Sequence, residues 1–167
     1  MSAIDYVIIP KGSFLYRTQP VVQKTLKARY DDETGKTGLY FATSPNIPFG
    51  MMLEYNKQMP LLIYKTTSNI KLLVGKYSHR KLNPSRYGTD RAPKDNDALA
   101  KDNKSHIDYL AFPIMSGIDK KLNKLEDLNL WGAETFISTN DLKKLKFSKA
   151  ESYPIEDVRA YLNNLIY

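Results

Sequence analysis

The chain has 167 residues, of which 42% are apolar and 26% charged, and its formal charge is +7. A chain of that length buries about 70% of the surface it exposes when unfolded, so a core can form without disulfides or metal, and the apolar fraction excludes a disordered polyelectrolyte. Cysteine is absent, which excludes a disulfide framework, thiolate metal ligation and a cysteine nucleophile.

The first eleven residues hold no basic segment followed by a long apolar one, and no apolar run approaches the roughly 20 residues that span a bilayer. The expectation is therefore one domain over residues 1–167, intracellular, in cytoplasm or nucleus, with no membrane attachment. The basic balance favours encounter with polyanions, either nucleic acid or an acidic protein surface, and serves equally for solubility.

In chain order, Tyr6 to Ile9 and Ser13 to Arg17 are short aromatic and β-branched runs closed by Pro10 and Pro20, and both predict strands. The pattern weakens from Val21 to Lys36, where Asp31 to Gly35 supplies turn chemistry. Gly38 opens the apolar run Leu39 to Ala42, which ends at Ser44-Pro45 and predicts a buried strand. Phe49, Met52, Leu53 and Tyr55 fall at helical spacing, so a short helix is expected from Phe49 to Gln58, after Pro48.

Leu61 to Thr66 and Ile70 to Val74 predict two more strands. A polar, basic insert follows over residues 76–105, expected to be exposed and irregular because it lacks apolar residues to offset the entropy of ordering. Beyond it, Ile107 to Met115 restores apolar character, Leu122 to Leu128 suggests a helix, and Ala133 to Ser138 a strand. Ile155, Val158, Leu162 and Leu165 form one face of a C-terminal helix introduced by Pro154. Strands outnumber helices and do not alternate with them, which predicts an α+β fold with an antiparallel or mixed sheet. Neither a dinucleotide-binding glycine fingerprint nor a P-loop is present.

Three segments carry chemistry in order: Phe14 to Thr18, Gly38 to Ser44 and Ala133 to Ser138. With these the chain resembles the ADP-ribosyltransferase superfamily, including poly(ADP-ribose) polymerase catalytic domains and RES-type domains. There a first strand supplies Arg or His, a later strand ends in a hydroxyl-rich motif, and a late strand opens with Glu. Gly38-Leu39-Tyr40-Phe41-Ala42 looks like the corresponding polymerase segment.

The resemblance implies an ADP-ribosyltransferase-like arrangement and transfer of ADP-ribose from NAD to an acceptor. Glu134, Arg17 and Ser44 would be the catalytic set, and Tyr16, Arg17, Tyr40, Thr43, Ser44 and Tyr55 would contact NAD. A carboxylate under the ribose stabilises the positive charge that develops as the nicotinamide bond breaks, and a guanidinium suits phosphate or ribose oxygens. Arg17 stands where the polymerases have His, and Gly132 stands where arginine-modifying toxins carry a second acid or amide, which disfavours arginine as acceptor.

Each residue also has an ordinary explanation: Arg17 as an ion-pairing residue, Thr43 and Ser44 as a strand-to-turn exit, Glu134 as a solvated strand start, and Tyr16 and Tyr40 as core. His79 and His106 are the two histidines and lack metal-ligand spacing. Ser105, His106 and Asp108 are too close in sequence for a triad.

The alternative reading is an inactive scaffold of the same fold that docks nucleic acid or an acidic partner through the insert. There Arg80, Lys81, Arg86 and Arg91 would meet phosphates, while Tyr77 and Tyr87 stack on bases. The richness in Lys, Asn, Tyr and Ile suits an AT-rich genome, so a viral origin with a virion- or capsid-associated role is a third reading.

Overall fold

A computed structural model describes residues 5–20, 25–31, 36–74, 105–109 and 133–166. The chain begins with β1 (Asp5–Ile9) and β2 (Phe14–Thr18), joined at a tight turn where Gly12 takes φ +87°, a conformation that glycine adopts without steric cost. Then come β3 (Arg29–Asp31), β4 (Lys36–Ala42) and the helix α1 (Asn46–Tyr55). β5 (Leu61–Thr66) and β6 (Ile70–Val74) follow. Beyond the insert lie β7 (His106–Tyr109), β8 (Ala133–Ser138), the single turn α2 (Thr139–Leu142), β9 (Leu145–Glu151) and α3 (Ile155–Ile166).

The strands run in the order β1-β6-β7-β8-β4-β2-β5-β9, with β3 attached to β4. Pairing is antiparallel except between β6 and β7. The fold is thus α+β on a mixed, mostly antiparallel sheet with a C-terminal helix.

The chain crosses between the two ends of the strand order twice, from β1 to β2 and from β5 to β6, and the two crossings lie side by side. β1 pairs with β6 and β2 pairs with β5, and the connecting turns are tied by Gly12 N–H to the Thr66 carbonyl (2.9 Å), Thr66 N–H to the Ser13 carbonyl (2.8 Å) and Lys11 N–H to Asn69 Oδ1 (2.8 Å). Ile9, Ile70 and Leu72 from one end of the strand order consequently pack in one cluster with Leu15, Phe41, Tyr64 and Ile137. Full burial of a side chain of this kind is worth about 1.5–3 kcal/mol.

The other face of β5 is covered by α1 and α3, through Phe49, Met52, Leu61, Ile63, Val158 and Leu162. α1 is apolar around its circumference because it serves both clusters: Ile47 and Met51 join the larger, Phe49 and Met52 the smaller.

Expected strands recur at β1, β2, β4, β5, β6 and β8. α1, however, starts at Asn46 rather than Phe49, so Pro48 sits inside the first turn, where its missing N–H costs no intrahelical bond. It ends at Asn56 in the left-handed region (φ 48°), and the Lys57 N–H bonds the Met52 carbonyl at 3.0 Å. β3, α2 and β9 were not expected from the sequence. The helix expected over Leu122 to Leu128 and residues 76–104 of the insert lie outside the described residues. Among the described residues, no helix is long and apolar enough to cross a membrane.

Candidate functional site

The three motif-bearing strands are consecutive neighbours, β8-β4-β2. Register lays Tyr16 beside Ala42 and Ala42 beside Glu134, a single row across them. Residues directly opposite one another share a face of the sheet, so Tyr16 and Glu134 rise from the same face with only the small Ala42 between. Tyr40 lies on that face too, diagonal to Glu134. Its ring meets the Phe136 ring edge-on at 5.0 Å, and its hydroxyl donates to Asp31 Oδ2 at 3.0 Å.

Arg17 is one residue further along β2. The pleat therefore turns it to the opposite face, in line with Leu62 and with Phe41, whose ring centroid is 5.8 Å from the guanidinium carbon. Nη1 donates to the Tyr40 carbonyl at 2.9 Å, and Nε donates to Gln19 Oε1 at 3.4 Å. Burial lowers the Arg17 pKa; Tyr64 opposes this, the Arg29 charge adds to it, and Glu134 opposes it. The guanidinium still carries its charge at neutral pH, since arginine is not deprotonated in proteins.

The hydroxyl segment after β4 has local work. Ser44 Oγ accepts the Asn46 N–H at 3.2 Å, so it shapes the entry to α1. Thr43 is half-buried at the exit of β4. Next to the row, Thr135 is fully buried and its hydroxyl donates to the Phe41 carbonyl at 2.8 Å, locking β8 to β4 beside Glu134. Tyr55 closes the far end of α1, on the order of 14 Å along the helix from Asn46 at 1.5 Å per residue, and is 60% exposed. The structure thus gathers Tyr16, Tyr40, Thr43 and Glu134 around Ala42. It sets Arg17 on the opposite face, assigns Ser44 to the α1 entry and leaves Tyr55 apart.

No family model, curated protein or solved structure matches the chain.

Ser105 is fully buried although the sequence placed it in the exposed insert. Its hydroxyl donates to Asp141 Oδ2 at 2.8 Å and accepts the Ser138 N–H at 3.0 Å, and Lys144 Nζ stands 2.9 Å from Asp141 Oδ1. The group pins the start of β7 to the end of β8, and a hydroxyl committed in this way is structural. His79, Arg80, Lys81, Arg86 and Arg91 lie outside the described residues.

Sequence reasoning missed a pocket of about 420 Å³ beside β2, β5 and β9 and between α1 and α3. Tyr16 and Pro45 line it, but neither Arg17 nor Glu134 does. Its charged groups come from the C-terminal segment, where Glu151, Tyr153 and Asp157 crowd into seven residues of a basic chain. That crowding was the available signal.

Proposed function

We propose that the chain is an ADP-ribosyltransferase-type protein that holds NAD over the Tyr16-Ala42-Glu134 row and transfers its ADP-ribose to an acceptor. The observation that carries this reading is the row itself: three motifs far apart in sequence lie on three adjacent strands, with the carboxylate of the third on the same face as the aromatic rings of the first two. Ala42 between them is small and buried.

In this reading the carbon–nitrogen bond between ribose and nicotinamide breaks with its electron pair leaving on nicotinamide. Glu134 stabilises the positive charge left on the sugar. Tyr40, held by Asp31, orients the ribose or nicotinamide side. The acceptor's lone pair then forms the new bond to the anomeric carbon and its proton passes to solvent. Arg17, charged and fixed to the Tyr40 carbonyl, supplies a positive potential beneath the strand ends that favours the NAD pyrophosphate.

Glu134→Gln tests this directly. It should leave NAD affinity within a few-fold in calorimetry while lowering nicotinamide release by roughly 100-fold or more, the scale expected when one preorganised electrostatic group is lost. Wild-type protein that binds no NAD, and releases no more nicotinamide than the variant, would sink the proposal.

One observation favours the second reading, a scaffold without catalysis. Arg17 faces away from Glu134 and already bonds the Tyr40 backbone, as a purely structural arginine would. In that case the basic insert carries function. Replacing Arg80, Lys81, Arg86 and Arg91 with Ser should weaken single-stranded nucleic acid binding and reduce its salt slope by about 0.7 for each phosphate no longer neutralised.

A further inference from the structure

The pocket between α1 and α3 is walled by the rings of Phe14, Tyr16, Phe49, Tyr153 and Tyr161. We propose that it is a binding site for a small organic cation bearing a methylated ammonium group. The proposal does not rest on the NAD reading: Tyr16 is shared with the proposed NAD row, but neither Glu134 nor Arg17 lines this pocket.

The ring geometry is the first argument. Phe49 meets Tyr153 at 5.6 Å with an interplanar angle of 86°, and Tyr161 at 5.5 Å with 76°. Each tyrosine ring thus stands nearly at right angles to Phe49 and makes a corner with it, in contrast to a stack that covers its own faces. Ring faces carry negative potential and attract a cation that sheds little hydration on entry, which describes a methylated ammonium better than a primary one. Phe49 and Tyr161 come from separate helices, α1 and α3, whose packing fixes the corner.

Charge is the second argument. Glu151 and Asp157 line the pocket against the single ammonium of Lys149, so its local charge is negative within a chain of formal charge +7. Glu151 accepts a hydrogen bond from the Tyr153 hydroxyl, which orients that ring, and its Oε1 lies 2.8 Å from Lys149 Nζ. The lysine side chain is 62% exposed, so the carboxylate already draws a cation to the rim from the solvent side. Burial raises the pKa of the Tyr16 phenol and the Glu151 charge raises it further, the behaviour of a cavity that disfavours anions. A volume of about 420 Å³ falls within the range of roughly 300–1,000 Å³ that small-molecule sites occupy.

The test titrates the whole chain with choline and, in parallel, with 3,3-dimethylbutan-1-ol, in which carbon replaces the charged nitrogen. Heats or amide shifts should saturate for choline, with the neutral analogue at least tenfold weaker. Tyr161→Ala, verified as folded by its thermal transition, should lose at least tenfold in choline affinity. Lys149→Met should tighten choline binding several-fold by removing the competing ammonium, and leave the analogue unchanged. Because the two-ligand comparison on the wild-type chain needs no variant, a folding defect cannot obscure it. A neutral analogue that binds as tightly as choline, or choline that fails to saturate, overturns the proposal.

Discussion

Gly38 stands where β4 is squeezed between its neighbours, opposite Ser138 of β8 and Arg29 of β3. A Cβ on it would lie 2.2 Å from the Ile137 carbonyl oxygen and 2.9 Å from Phe136 Cζ, and real Cβ atoms essentially never come within 3.0 Å. Relieving the oxygen contact requires β4 and β8 to part by on the order of 1 Å, which takes the adjoining N–H···O bonds past the roughly 3.2 Å upper end of their range. Two weakened bonds at about 1 kcal/mol each, with overpacking of the Phe136 ring added, outweigh the roughly 0.4–1 kcal/mol that Gly→Ala returns by restricting the unfolded chain. Gly38→Ala should therefore destabilise the fold by about 2 kcal/mol, lowering the urea midpoint by about 1 M for a denaturant slope near 2 kcal/mol/M. Thr37→Ala, at the exposed position beside it, is the control and should change little. An unchanged or raised midpoint for Gly38→Ala would refute the close approach of the two strands. Because Phe136 packs on Tyr40, the same variant should also shift Tyr40 resonances.

Thr135→Val keeps the side-chain shape but removes the hydroxyl that bonds the Phe41 carbonyl, and should cost about 1–2 kcal/mol in urea unfolding. Ser105→Ala leaves the buried Ser138 N–H and Asp141 without a shared partner; a loss of about 1–3 kcal/mol is expected, with nicotinamide release unaffected. Burial raises the phenol pKa of Tyr64, with Arg17 opposing, and burial followed by Glu151 raises that of Tyr16, both from 10.0. The folded state holds these protons more tightly than the unfolded state, so their contribution is complete below pH 10 and is lost as pH rises through the raised values. Stability measured across pH 9 to 11.5 should fall, and Tyr64→Phe should make the fall shallower.

Much of the sheet was legible because its buried strands are apolar runs bounded by turn residues: Leu61 to Thr66 and Ile70 to Val74 are recovered to the residue. β3 was hidden because it is three residues long, with Arg29 and Tyr30 exposed, and is held through backbone pairing with β4. β9 does alternate, with Leu145 and Phe147 packing against the larger core. But it is an edge strand whose Lys146, Ser148, Lys149 and Ala150 are exposed, and an irregularity opposite Ile63 and Tyr64 breaks the period after Phe147. The start of α1 was misplaced because proline is commonest at the first helical position, whereas the Ser44 hydroxyl opens the helix two residues ahead of Pro48.

The site was legible in its strands and not in its faces. Motif order was enough to expect Arg17, Thr43-Ser44 and Glu134 at neighbouring strand ends, but which face each side chain takes depends on the parity of the pairing, to which spacing along the chain is blind. Tyr16 pairs with Ala42, and Ala42 with Glu134. Had β2 slipped by one residue, Arg17 would occupy the place of Tyr16 and stand on the same face as the carboxylate, because a single step reverses every side chain of a strand. The pairing of β2 with β5 opposes that slip: it puts Leu15 and Tyr64 in the larger core and Ile63 against the helices, and a shift would exchange these faces. The position of Arg17 is thus set by core packing one strand away from the site. If NAD is held as proposed, variants of Arg17, which stands on the opposite face from Glu134, should change NAD affinity more than the nicotinamide-release step.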